Sequence, residues 1–431
     1  MSWEELLGSN SASTSSSDPL KRQQEEAVQY FSTWPRYSFE KRLGAGAFGV
    51  ALLFLDEEAE PGGYERFVVK ATSETATDDE HTYLQLLRWA AHVLTLITKP
   101  QRLFTLEKAE KAKTDSSENT GPLQREYIIT EYLKNGTLRQ LVLRLLGPGL
   151  ERKIPNRVLW AIFLCLTRAC IALAFPPGEP TVANAPPEVR NNVLETIPEN
   201  ANNPTDIIHG DMHDGNVMFG DLTNPEHDRV PILKLIDFGE AVEVNVPQTF
   251  DAEEFAKYDA VLKLAPTTNT ASPFPQNAAI SKNILDIGVI MCELILGPSF
   301  SIINQNDGRQ MVLDLIDSKK GDNLQDRNLD RDLLMLAAVC LAVNPDHRPR
   351  LPDLLSEIQR NLSNKTQELY PNIAEETDES IAAFIQKNIF DAAAAAADAN
   401  SQSDPESDPE SDPESDPESD ESTPVGTPPQ Q

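Results

Sequence analysis

Basic residues are scarce in this chain: 37 Lys and Arg stand against 68 Asp and Glu, for a formal net charge of −31. A polyanion is bound through a local excess of cations, so this balance argues against nucleic acid as a partner. Ten of the acids and no base fall between Asp404 and Glu421, which leaves about −21 for the rest. Cysteine is scarce too. Cys165, Cys170, Cys292 and Cys340 sit inside apolar runs with no metal-like pairing, which reads as buried reduced thiols and not a disulfide framework. The N-terminus, "MSWEELLGSNSASTSSSDP", has acids and serines where a signal peptide needs an apolar core. The longest apolar run, 158–175, is broken by Thr167 and Arg168, the pattern of a buried helix and not of a membrane span. Together these absences point to the cytoplasm or nucleus and to no membrane partner.

The length allows up to three domains or one two-lobed enzyme, and 40% apolar residues can fill a core. Residues 1–36 read as a flexible lead-in. A β-rich region starts at Tyr37 with "YSFEKRLGAGAFGVALLFLD", turns at "EPGGYE" and continues in "RFVVKA". "TDDE" is a capping box that starts a helix at Thr77, with Glu80 three residues after the cap. Leu84, Leu87, Ala91 and Leu94 follow at helical spacing, with His81, Gln85, Arg88 and His92 on the adjoining polar stripe. "RLFTLEK" and "EYIITEYL" are further strand candidates. The second half is mainly helical over 158–175, 283–296, 331–343 and 351–361, while the Pro- and Asn-rich stretch 176–205 reads as a surface insertion. Strands before helices predict an α+β chain. Four tandem Ser-Asp-Pro-Glu units run from Ser403 to Glu418, and dense charge with low hydrophobicity predicts a disordered acidic tail over 362–431. Its serines carry acids one and three positions on, the pattern an acid-directed kinase would modify.

"GAGAFG" supplies Gly44, Ala45, Gly46, Ala47, Phe48 and Gly49. Missing Cβ atoms let backbone N–H groups approach phosphate oxygens, although glycine turns also occur without a ligand. Standing between two strands and not before a helix, the motif suits a hairpin flap better than a dinucleotide-binding turn. Lys70 interrupts the β-branched run of "FVVKA". Alone it reads as a solvent-facing strand position, and Glu80 alone as a helix cap. Together they read differently, because a phosphate-binding lysine needs a carboxylate to hold its stem. "HGDMHDGN" (209–216) gathers Asp211, Asp214 and Asn216 with His209 and His213. The histidines have the spacing of zinc ligands on a helix, but Gly210 and Gly215 oppose a helix and no third ligand is spaced to join them. In "LKLIDFGEA" (233–241) a buried strand runs into Asp237, an acid that is costly there unless it meets a cation or a donor. With Asn216 it can supply oxygens to Mg²⁺.

In this order, the Gly-rich hairpin, strand lysine, helix glutamate, His-x-Asp loop and Asp-Phe-Gly resemble the eukaryotic protein-kinase family over about residues 37–361. "EYIITEYLKNGTL" is similar to that family's hinge, "ILDIGVIMCELILG" to its central C-lobe helix and "NPDHRPRLPDLL" to its closing segment. The resemblance implies a two-lobed fold, with an N-lobe over about 37–133 and a helical C-lobe over about 134–361. It implies an ATP- and Mg²⁺-dependent phosphotransferase acting on Ser or Thr of a protein substrate. Lys70 would bind the α- and β-phosphates and pair with Glu80, and Asp211 would accept the hydrogen bond of the attacking hydroxyl. Asn216 and Asp237 would hold Mg²⁺, and Leu84, His209 and Phe238 would join the lobes. Thr130 would be the gatekeeper, with Glu131 to Leu133, Ala51, Val68, Met218 and Ile236 around adenine, and Arg348 the structural arginine.

The chain also departs from that pattern. Gly210 replaces the arginine of His-Arg-Asp, and His213 stands where a catalytic-loop lysine is usual. "APT" (265–267) is the nearest match to Ala-Pro-Glu. Asn283 takes the place of an aspartate that braces the loop, and only ten residues separate Lys70 from Glu80. "HGDxHxxN" is common in small-molecule kinases such as aminoglycoside and choline kinases, so a small-molecule acceptor stays open. A nucleotide-binding pseudokinase stays open through Asn283, Gly210 and the short interval.

Overall fold

Period-two alternation sorts the first layer into two faces. In the computed structural model, β1 (Tyr37–Gly46), β2 (Gly49–Asp56), β3 (Arg66–Ala71) and β4 (Tyr127–Glu131) form one antiparallel sheet in chain order. Residues 19–46, 49–61, 63–71, 77–97, 127–145, 154–179, 192–199, 203–223, 226–244, 278–296, 329–342, 345–370 and 373–395 are described. One sheet face carries Leu52, Phe54, Phe67, Val69 and Ile129. It is covered by α1 (Pro19–Phe31), which buries Gln23, Ala27 and Phe31 at i, i+4 and i+8. The ring of Phe31 lies 5.0 Å from Phe54. Residues 19–31 are therefore not a flexible lead-in. The other face brings Ala51 opposite Lys70, and Val68 opposite Thr130.

Among the described residues the fold is mixed α and β, with eight α-helices beside this small sheet. After α2 (Thr77–Leu87) and α3 (Leu138–Leu145), α4 (Asn156–Ala174) runs through the main core. It packs on α5 (Ala278–Leu296) and α7 (Leu351–Asn364), with α6 (Arg331–Cys340) against α5. α4 is long and apolar enough to cross a membrane, but 94% of that stretch is buried inside the protein. Two short antiparallel pairs complete the sheet inventory: β5 (Ile207–Ile208) with β8 (Val242–Glu243), and β6 (Val217–Phe219) with β7 (Leu233–Leu235). All four cysteines are free and buried, as their apolar settings predict.

Three further expectations are corrected by packing. The helical periodicity after Thr77 runs to Leu94, yet α2 ends at Leu87, because the next segment finds backbone partners outside a helix. Leu94 N donates to Leu235 O (2.9 Å) and Leu235 N to His92 O (2.9 Å). His92 is thus not on a polar stripe but fully buried. The stretch 176–205 is not wholly a surface insertion either: Val193 exchanges backbone hydrogen bonds with Trp89 and Ala91, and Glu195 is fully buried. Finally, order continues past residue 362. α8 (Asp378–Ile385) and the π-helical turn Gln386–Phe390 bury Ile381, Ile385 and Ile389. Before them, Glu376 accepts from Asn156 N (2.5 Å) and Arg157 N (3.1 Å), capping α4, whose own N-cap is a proline. "RLFTLEK", "APT" and the Ser-Asp-Pro-Glu repeats lie outside the described residues.

Candidate functional site

The short third strand and the first turn of α2 meet at Lys70. Its Nζ lies 2.8 and 2.9 Å from the two oxygens of Glu80 and 2.7 Å from Asp237 Oδ1. The carboxylate of Glu80 is engaged by the lysine through both oxygens; the capping box falls on Thr77, whose side chain lies outside the described residues. Burial lowers the lysine's pKa, but Glu80 and Asp237 outweigh it, so the ammonium is held charged, above its ordinary value.

Asp237 leaves β7 in the left-handed region, with φ at 61°. Aspartate tolerates that region better than most residues, and such strain clusters at functional sites. The strand therefore ends with the carboxylate turned to Lys70. The next residue, Phe238, is buried edge-on to His209, with ring centroids 4.9 Å apart. His209 Nε2 donates to Ile236 O (3.0 Å), which ties the two loops together. Burial pushes its pKa down to about 4, so the ring is neutral.

The 209–216 loop is organised around Asn216. Its Nδ2 donates to both Asp211 O and Asp211 Oδ2 at 2.9 Å. This fixes the amide and leaves its Oδ1 as a potential ligand. His213 Nδ1 accepts from Gly215 N (2.9 Å), so its proton sits on Nε2, 3.4 Å from Asp211 Oδ2. Gly210 has φ +82°, and a Cβ there would fall 2.1 Å from Glu240 O. An arginine cannot occupy that position without moving the backbone. Asn283 braces the loop from α5: its Nδ2 donates to Ile207 O (2.9 Å) and its Oδ1 accepts from His209 N (3.3 Å). An aspartate could make only the second of these bonds.

Around the sheet face, Thr130 and Leu133 are buried, and Ala51, Val68 and Met218 are half-buried. Gly44, Ala45, Gly46 and Gly49 form the β1–β2 hairpin, paired as Gly44 with Ala51, Ala45 with Val50 and Gly46 with Gly49. Ala47 and Phe48 at its tip lie outside the described residues. Leu84 is fully buried in the main core. Glu131 departs from a simple lining role. Its carboxylate takes Lys234 Nζ (2.7 Å) and Thr95 N (2.8 Å), so only its main chain can face a base. Arg348 donates to Ala342 O and Ser281 O, each at 2.8 Å; burial lowers its pKa to about 10, against the opposing effect of Asp286.

No family model matches the sequence, and no curated protein matches it significantly. Sequence reasoning overlooked Lys234, which reads as one more polar interruption in "LKLID" but is buried as the partner of Glu131. It also overlooked Arg139, 2.8 Å from Asp214 and so a brace of the same loop. Arg139 lies 75 residues from Asp214 in the chain, and no local pattern marks the pair.

Proposed function

We propose that the chain is an ATP- and Mg²⁺-dependent phosphotransferase of two-lobed, protein-kinase-like fold, with a Ser or Thr hydroxyl of a protein as acceptor. One observation carries the reading: Lys70 Nζ is held between Glu80 and Asp237. In this reading the sheet with α1 is the smaller lobe and the helices around α4 the larger, and this ion triad spans them.

The surroundings of each group suit its role. Lys70, charged and steadied by Glu80, has the donor needed for α- and β-phosphate oxygens. Asn216 Oδ1 and the Asp237 carboxylate are hard oxygen donors and few in number, as suits an ion that completes its shell from phosphate and water. Bound there, Mg²⁺ would neutralise charge on the phosphates. Asp211 keeps Oδ1 for the acceptor, because Oδ2 is held by Asn216 and faced by His213. The hydroxyl oxygen attacks the γ-phosphorus as the bond to the bridging oxygen breaks, ADP leaves, and the hydroxyl proton passes to Asp211.

The contact between His213 and Asp211 favours a second reading, a small-molecule acceptor. Incubating purified full-length protein with labelled ATP and Mg²⁺ separates the two. Label on the chain or on added proteins supports the first reading, and label confined to amino alcohols or aminoglycosides supports the second. ATP binding with no transfer to any acceptor would overturn both.

A further inference from the structure

We propose that His92, Cys165 and His227 bind a Zn²⁺ ion, with Glu195 as the outer partner of His92. All three are buried, and one donor atom from each lies within 4.8 Å of the others. His92 Nε2 and His227 Nε2 are 3.0 Å apart, and Cys165 Sγ is 3.9 Å from His227 Nδ1. Two imidazole nitrogens and one thiolate are the donor set that zinc takes and that Mg²⁺ or Ca²⁺ does not. Water would fill the fourth position.

The outer contacts are those of a metal-bound histidine. Glu195 accepts from His92 Nδ1 and from His92 N, each at 2.7 Å, which fixes the ring and leaves Nε2 as the ligand atom. Arg168 braces both flanks: it donates to Glu195 O (2.5 Å) on one side and to Glu226, next to His227, on the other. Charge points the same way. The charges of the metal-bound state balance around the fully buried Glu195 side chain. A divalent ion, one thiolate and this carboxylate sum to zero. Binding releases the thiol proton to solvent and leaves each imidazole neutral. The proton of His227 sits on Nδ1, on the side of Sγ, and frees Nε2 for the ion.

The competing arrangement is a hydrogen-bonded chain in which Cys165 donates to His227, His227 to His92 and His92 to Glu195. It satisfies every polar atom, and a protonated His92 would pair with Glu195 without any metal, so metal content decides between the two arrangements.

The position gives the ion something to hold. His92 lies in the segment that follows α2, Cys165 is in the middle of α4, and His227 lies between β6 and β7. One ion would therefore fasten the helix that bears Glu80 to the core helix and to the hairpin between Asn216 and Asp237.

The test is elemental analysis of full-length protein purified without a metal-affinity tag from zinc-supplemented cells. The proposal expects about one zinc per chain. It also expects a fall in thermal midpoint on chelation under reducing conditions, reversed by Zn²⁺. Co²⁺ exchanged into the site should give a thiolate charge-transfer band that is absent in Cys165→Ser. Cys340→Ser removes a buried thiol outside the cluster and should leave metal content unchanged. Should Cys165→Ser fail to fold, the parent's metal content and its response to chelation and Zn²⁺ still decide. Zinc below about 0.1 per chain with no thermal response to added Zn²⁺ would overturn the site in favour of the proton chain. Copper or iron at full stoichiometry would overturn the choice of ion.

Discussion

Replacing Gly210 with alanine probes the 209–216 loop at its tightest point. An L side chain in the left-handed region costs about 1–2 kcal/mol before any contact is considered. Here the new Cβ would also stand 2.1 Å from Glu240 O and 2.9 Å from its carbonyl carbon. Ordinary van der Waals contact is not restored until the backbone yields by about 1 Å. The groups that must give way are those holding the loop, His209 N on Asn283 and His209 Nε2 on Ile236 O. Losing one such buried hydrogen bond adds about 1–3 kcal/mol, for a total of about 2–5 kcal/mol. In a domain of this size each kcal/mol moves the thermal midpoint by about 2–4 °C, so a fall of about 4–20 °C is expected. Scanning fluorimetry on parent and variant measures it. Gly44→Ala is the control, because nothing lies within 4 Å of a Cβ at that position. If Gly210→Ala melts within about 1 °C of the parent, the steric account of this glycine is wrong.

Other perturbations give separate readings. Asp211→Asn should lower turnover by about 10²–10⁴-fold, with ATP affinity little changed, in initial-rate and equilibrium-binding measurements. Lys234→Met strips the buried partner from Glu131 and should destabilise by about 3–5 kcal/mol. Adding Glu131→Gln should recover part of that loss, and a purely additive double-mutant cycle in urea would contradict the pairing. His209 titrates at about 4 in the fold against 6.5 ordinarily, so on acidification the unfolded chain takes its proton first. Its contribution is constant above about pH 7 and is lost as pH falls from about 6.5 to 4, reaching about 2 kcal/mol near pH 5. Urea unfolding at about pH 7.5 and 5 should show a smaller acid loss for His209→Gln than for the parent.

What could be read from the residues was what local rules encode. Short apolar runs in "GVALLFLD" and "RFVVKA", set off by a turn, mark strands, and the structure pairs them in register. The order of the motifs singled out Lys70, Glu80, Asp211, Asn216 and Asp237, which the structure gathers in one region. α1 was not legible, because its buried stripe is Gln23, Ala27 and Phe31. One large apolar residue in that stripe cannot announce an amphipathic helix until the aromatic sheet face beneath it is known. The end of α2 was misread because periodicity records side chains and not backbone partners, and Leu235 and Val193 offer the 91–94 segment better ones. The grouping of His92, Cys165 and His227 escaped notice for a related reason: ligand-spacing rules look within one turn or one loop, and these residues come from three separate elements.

The cap on α4 links two distant moments in the life of the chain. Asn156 emerges from the ribosome 220 residues before Glu376, whose carboxylate it needs. At about 5–20 residues per second, the core helix waits about 10–40 s without that cap. During that interval α7 and α8 are also missing from its surroundings. The nascent chain is therefore exposed to aggregation and to chaperone capture until Glu376 has been made. A stop codon anywhere before residue 376 would release a polypeptide that makes that state permanent.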